Sequence, residues 1–267
     1  MPQDLALTPL LDGTGGPELP LPAELRQLYG PLRLAAGSVF ANFVSSLDGV
    51  VSLGEPGTGG KEISGGHPHD RAVMGLLRAA ADVIVIGAGT LRSVPRHVWT
   101  PAAIYPQLAD AYGRMRSTAP RTVVITASGD VDTALPVFTS GKAPATIVTT
   151  ARGARALAPA AGLDVRVVEG QDPLDAAGIL RAIAAPREAR ILLECGPRLM
   201  AAFLEARRVD DLFLTLAPQV AGRTPEAPRE GFVTGSLFLP GAPLWGDLVD
   251  VKVAGSFLFL RYRFAAK

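Results

Sequence analysis

The chain has 267 residues, of which 48% are hydrophobic and 19% charged, and its formal charge is +1. That composition excludes a disordered chain, and Lys and Arg scattered without a basic tract argue against a nucleic-acid surface. No apolar run approaches the ~18 residues of a membrane span, residues 1–16 lack the pattern of a signal peptide, and the single cysteine, Cys195, rules out an intramolecular disulfide, so a soluble cytoplasmic protein is expected.

Residues 1–36 are rich in Pro, Gly and Leu, contain one predicted helix over 23–29, and suit a segment packed on the body. Residues 38–44 (SVFANFV) predict the first strand by their β-branched and aromatic content. The turn Ser46-Leu47-Asp48-Gly49 leads to a short strand over 50–53. The glycine-dense stretch 54–66 reads as a loop too polar for the core, either a lid over a crevice or a mobile segment. Residues 67–81 predict a helix with Val73, Leu76, Leu77 and Ala80 on its apolar face and Asp70 in its first turn, where the helix dipole favours an acid. Arg71 and Arg78 share one side of that helix, by default a solvated one, with a functional reading equally open for Arg78 because it sits at an otherwise apolar end.

Strand 82–86 ends in Gly87-Ala88-Gly89-Thr90, a glycine turn that falls short of GxGxxG because Arg92 stands where the third glycine would be. Residues 94–106 are irregular and 107–116 helical. Strands 121–126 and 145–149 each end at hydroxyl residues, Thr126 and Ser128 after the first and Thr149 and Thr150 after the second. A strand over 164–168 and a helix over 174–185 follow.

Residues 190–221 carry the most informative pattern. A strand over 190–194, the turn Cys195-Gly196-Pro197, a helix over 198–208 and a strand over 211–217 make a βαβ unit. Pro197 suits the first helical turn, where no N–H is needed, and Gly196 lets the backbone approach a ligand. The helix opens with bare N–H groups, where an anionic cofactor phosphate would sit. Glu194 faces the same crevice. Residues 249–264 predict a hairpin around Ala254-Gly255-Ser256, so the mainly parallel α/β sheet is closed by an antiparallel piece and is mixed.

Other chemistries lack an anchor. His67, His69 and His97 are not at metal-ligand spacing, so no metal is expected. There is no serine-nucleophile elbow and no Walker-type phosphate loop. Cys195 has no histidine near it in sequence and reads as structural.

Ser46-Leu47-Asp48-Gly49, Leu77-Arg78-Ala79, Val85 to Thr90, Leu193-Glu194-Cys195-Gly196-Pro197 and Leu216-Ala217-Pro218, in this order and spacing, resemble the reductase domain of bacterial riboflavin biosynthesis, the RibD C-terminal family. The resemblance implies a dihydrofolate-reductase-like α/β fold with a mixed, mainly parallel sheet flanked by helices and a C-terminal antiparallel hairpin. It also implies a homodimer and NADPH as hydride donor. The chain then divides into an N-terminal extension, 1–36, and a reductase domain, 37–267. The family reduces a ribosylamino-pyrimidine phosphate at the sugar C1. Carried over, this puts Gly87, Gly89, Thr90, Gly196, Pro197, Arg198, Leu199 and Met200 against the cofactor, with Thr126 and Ser128 added as hydroxyl contacts. Asn42, Arg78 and Glu194 fall on the substrate, and Asp48 near the nicotinamide, with Asp48 and Glu194 as catalytic candidates.

The chain departs from the family pattern on the substrate side. Asn42 stands where a Lys is usual, Ile63-Ser64-Gly65-Gly66 replaces a Trp-Ile-Thr motif, Ser93-Val94-Pro95-Arg96 replaces Asp-Asp-Pro, and no zinc-ligand motif of a deaminase precedes Val39. Three expectations therefore stand together: a riboflavin-pathway reductase, a reductase of the same fold acting on a pteridine or dihydrofolate-like ring, and an NADPH-binding protein without turnover.

Overall fold

The computed structural model describes residues 5–13, 16–54, 59–158, 162–169 and 174–264. The strands are β1 (Thr8–Asp12), β2 (Val39–Ser45), β3 (Val50–Ser52), β4 (Val83–Gly87), β5 (Arg121–Thr126), β6 (Ala145–Thr150), β7 (Asp164–Val168), β8 (Ile191–Leu193), β9 (Asp211–Leu216), β10 (Glu230–Gly231), β11 (Gly246–Ala254) and β12 (Phe257–Phe264). The helices are α1 (Ala23–Tyr29), α2 (Gly60–Ser64), α3 (Pro68–Ala80), α4 (Ala88–Ser93), α5 (Pro101–Ile104), α6 (Ala109–Met115), α7 (Pro136–Thr139), α8 (Ala151–Ala156), α9 (Ala176–Ile183) and α10 (Pro197–Glu205).

Among the described residues one sheet has the order β1-β11-β12-β9-β2-β8-β4-β5-β6-β7. From β9 through β7 all neighbours are parallel, and β12, β11 and β1 add on antiparallel. This is the expected mixed, mainly parallel sheet with its C-terminal hairpin. Alternation along the strands separates two cores. Ile84 and Ile86 of β4 and Phe40 of β2 point to the side of α1, α3 and α6. Val83 and Val85, with Ala41, point to the side of α9 and α10. Because both faces are covered, the central strands read as continuous apolar runs rather than as alternating ones.

Three features depart from the sequence reading. β8 and β9, the two strands of the predicted βαβ unit, are not neighbours, because β2 from far upstream lies between them and pairs with both. Ahead of β2, β1 is an exposed edge strand with Pro9 inside it, held by pairing to β11. The leucines that follow, Leu25, Leu28, Leu32 and Leu34, are fully buried, each stabilising by roughly 1.5–3 kcal/mol. Finally, the 54–66 stretch is only partly loop. Residues 60–64 form α2, where the Glu62 carboxylate accepts from Gly59 N at 2.7 Å, and Ile63 and Ser64 are buried, which corrects the expectation that nothing here belongs to the core. Residues 55–58, on which a lid would depend, lie outside the described residues. No described helix is long and apolar enough to cross a membrane.

Candidate active site at the carboxyl edge of the sheet

β4 and β8 lie side by side and parallel, so their C-terminal turns open onto one crevice, the place where open α/β sheets take ligands. The two turns face each other. Beyond its neighbours in the chain, a Cβ placed on Gly87 would meet only Leu199 Cδ2, at 4.0 Å, and one on Gly196 only Thr90 Oγ1, at 3.9 Å. One on Gly89 would meet nothing within 4 Å. The floor between the turns is therefore bare backbone that a ligand can approach. Gly87 caps α4 and Gly196 caps α10 without any side chain covering the first N–H groups. These residues fit the pyrophosphate of a dinucleotide.

The structure narrows the predicted contacts. Gly89 and Thr90 lie in the first turn of α4 rather than in a loop. Met200 cannot serve as expected, because its N–H donates to Gly196 O at 3.1 Å and its side chain is fully buried. Pro197 has no N–H, so donors at α10 come from Gly196, Arg198 and Leu199. The Arg198 side chain is 83% exposed. The hydroxyls of Thr126 and Ser128 are turned to local work, accepting from Gly129 N at 3.1 Å and from Asp130 N at 3.2 Å.

On the α3 side of the crevice, Arg78 and Glu194 meet. Arg78 Nε donates to both Glu194 oxygens at 2.9 and 3.1 Å, and Nη2 donates to Oε2 at 2.7 Å. Arg78 Nη1 donates to His97 Nε2 at 2.9 Å and to Thr100 O at 3.3 Å. Their side chains are only 2% and 9% exposed. This is a structural use of Arg78, not the solvated or substrate-presenting one expected from sequence. His97 packs edge-on against Trp99, and burial, then the Arg78 charge, push its pKa down to about 3, so it stays neutral and accepts from Arg78.

Asp48 is exposed and fixed. It accepts from Ser46 Oγ at 2.6 Å, from Ala221 N at 3.0 Å and from Gly222 N at 2.9 Å. The Ser46 hydroxyl, followed by the Ala221 amide, holds its carboxyl well below the usual range. A carboxylate held this way positions the chain after β9 and has no proton to give near neutrality. Asn42, half-buried on β2, lines a small cavity with Val73 and Thr215. Cys195 is buried, and desolvation pushes its thiol up to about 12, consistent with a structural role.

Sequence reasoning missed Asp70, His97 and Thr215. An acid in a first helical turn ordinarily faces water, but Asp70 is 5% exposed. Only tertiary packing shows this. A separate cavity of about 230 Å³ lies beside α4, between Arg92 and Leu135. Of the two glycine turns it touches only Ala88, whereas the Gly87 and Gly196 turns both open at the crevice, which makes the crevice the better site.

Comparison with known proteins follows the same line. The family model described as the RibD C-terminal domain matches residues 38–239, from one residue before β2 to a point ahead of β11. No curated protein matches the sequence significantly. Among solved structures, a pyrimidine reductase-like protein of Corynebacterium diphtheriae is 20% identical with a TM-score of 0.63, over 91% of this chain and 99% of the other. A deaminase/5-amino-6-(5-phosphoribosylamino)uracil reductase of Thermotoga maritima is 18% identical with a TM-score of 0.64, over 86% of this chain but only 57% of that longer one. The riboflavin biosynthesis reductase of Saccharomyces cerevisiae is 18% identical with a TM-score of 0.56, over 88% and 92%. At these identities the likeness is one of fold.

Proposed function

The chain belongs to the RibD C-terminal domain family, and on that premise we propose that it is an NADPH-dependent reductase of a ribosylamino-pyrimidine phosphate, working in the cytoplasm as a homodimer. The observation that carries this reading is the convergence of the Gly87 and Gly196 turns on one crevice lined with bare helix N-termini. Gly196, Arg198 and Leu199 would hold the cofactor pyrophosphate, with Gly87, Gly89 and Thr90 opposite. When bound, the reduced nicotinamide supplies a hydride. The chain's part is positioning and charge: α4 and α10 fix the cofactor, while Asn42 and the wall built on Arg78 and Glu194 shape the space for the acceptor.

Catalytic duty for Asp48 and Glu194 is not retained. Asp48 is tied to Ala221 and Gly222, and Glu194 is committed to Arg78. The homodimer reading rests on exposed apolar side chains, Val220 at 70%, Leu237 at 94% and Trp245 at 81%, in the segment after β9.

A second reading, a reductase acting on an unphosphorylated pteridine-like ring, is favoured by one observation. Arg78 is taken up by Glu194, His97 and Thr100 instead of facing a phosphate. Cofactor oxidation in the presence of the phosphorylated ribosylamino-uracil and of dihydrofolate, run side by side, decides between them.

A further inference from the structure

We propose that Asp48 is a positioning residue for the cofactor: its carboxylate latches a strap, residues 219–234, that runs from the end of β9 to the first turn of α10 and steadies the amides there. The proposal rests on the reductase reading above.

The apolar anchors of the strap lie toward its two ends. Ala221 packs on the small core of Val50, Ile63 and Ala217, and Phe232 stands edge-on to Phe43 of β2 with ring centroids 4.9 Å apart. Between them residues 223–228 are exposed, so that stretch is held by polar contacts. Gly222 has a φ of 68°, the left-handed region open to glycine, and the N–H groups of Ala221 and Gly222 turn toward one point. The Asp48 carboxylate occupies it, one oxygen accepting from Ala221 N at 3.0 Å and the other from Gly222 N at 2.9 Å. Two consecutive amides on one anion form a nest, and its bonds are charge-assisted. The strap also holds the turn in return. Arg223 Nη2 donates to Asp48 O at 2.6 Å, and Arg229 Nη1 donates to Ala221 O and Gly222 O. Ser46, whose hydroxyl donates to Asp48 at 2.6 Å, is fully buried, so the latch is anchored in the body of the fold.

The far end of the strap lies on the cofactor turn. Glu230 and Gly231 pair with Ser52 and Val50 of β3. From there the Glu230 carboxylate comes within 3.9 Å of Arg198 Nε, and Thr234 N donates to Pro197 O at 3.4 Å. Pro197 and Arg198 open α10, whose first amides face the crevice. Contacts that hold a ligand's donors in place raise affinity by reducing the ordering that binding requires. Without the latch the first turn of α10 loses this support. Cofactor binding then weakens, while hydride transfer from a bound cofactor is unaffected, because Asp48 exchanges no proton with it.

The test uses the full chain with Asp48→Ala and, separately, Arg229→Ala, which frees the same stretch from its carbonyl side. Asp48→Ala should weaken NADPH binding about tenfold in a fluorescence titration, with kcat at saturating NADPH within about threefold of wild type for whichever acceptor is turned over. Arg229→Ala should move the affinity in the same direction. Limited trypsin cleavage after Arg223 reads the strap itself. It should be roughly tenfold faster in Asp48→Ala, and saturating NADPH should slow it in wild type, because coupling between two sites acts both ways. Equal cleavage rates in wild type and Asp48→Ala, faster cleavage with unchanged NADPH affinity, or a lowered kcat with unchanged affinity would each overturn the proposal while leaving the reductase reading intact. A wild-type chain that binds no NADPH would overturn that reading, and this inference with it.

Discussion

Arg78 on α3 and Glu194, the residue after β8, close on each other through three hydrogen bonds of 2.7–3.1 Å, with both side chains almost out of solvent. Breaking one side of such a pair leaves a buried charge without compensation. Glu194→Gln and Arg78→Ala should each destabilise the protein by about 3–5 kcal/mol, and urea unfolding measures it. The double variant should lose less than the sum, because the pair is removed together. Losses under about 1 kcal/mol would mean the pair is not the structural brace described.

The Gly196 turn should tolerate a side chain in the free protein but not with cofactor. A Cβ there meets only Thr90 Oγ1, at 3.9 Å. Gly196→Val should therefore fold, while its branched side chain fills the floor of the crevice. NADPH affinity, read by fluorescence titration, should fall at least tenfold, about 1.4 kcal/mol. Unchanged affinity would move the cofactor elsewhere.

Asp70 and His97 make opposite contributions to stability against pH. The Asp70 pKa is raised to about 6, so in the window from its ordinary value of 3.8 up to 6 the native state binds more protons than the unfolded one. Its contribution falls as pH rises through that window and is flat above it, by roughly 3 kcal/mol in all. The His97 pKa is lowered to about 3, so its contribution is complete above 6.5 and is lost as pH drops. The two partly cancel in wild type. Asp70→Asn removes only the first, so its stability relative to wild type should increase from about pH 4 to about pH 6 and then stay constant. Urea unfolding at both ends of that range checks it, and an equal gap at the two would contradict it.

These assignments also show what the sequence could carry. The α10 unit was legible because Gly196-Pro197 states its conformational need locally, and β11–β12 because a glycine turn separates two apolar runs. The insertion of β2 between β8 and β9 was not legible, since no local signal records which strand pairs with which. β1, with Pro9 in a fully exposed strand, exists through its partner β11. At the site, the glycine cradle followed from spacing. The burial of Asp70 did not, because the first turn of a helix usually faces solvent, and for Arg78 the apolar end of its helix left both a solvated and a functional reading open.

Trp245→Lys with Leu237→Lys places two charges on the most exposed apolar strip, where Leu237 is 94% and Trp245 81% exposed. If this strip joins two copies, sedimentation should show a dimer for wild type and a monomer for the variant. A wild-type monomer would remove the homodimer reading.

The most direct test of the whole account is a titration of the purified protein with NADPH, followed by cofactor oxidation with the phosphorylated ribosylamino-uracil as acceptor. Saturable binding that Gly196→Val weakens, and turnover that requires the acceptor, are the expected results. Absence of NADPH binding by the wild-type protein would contradict them.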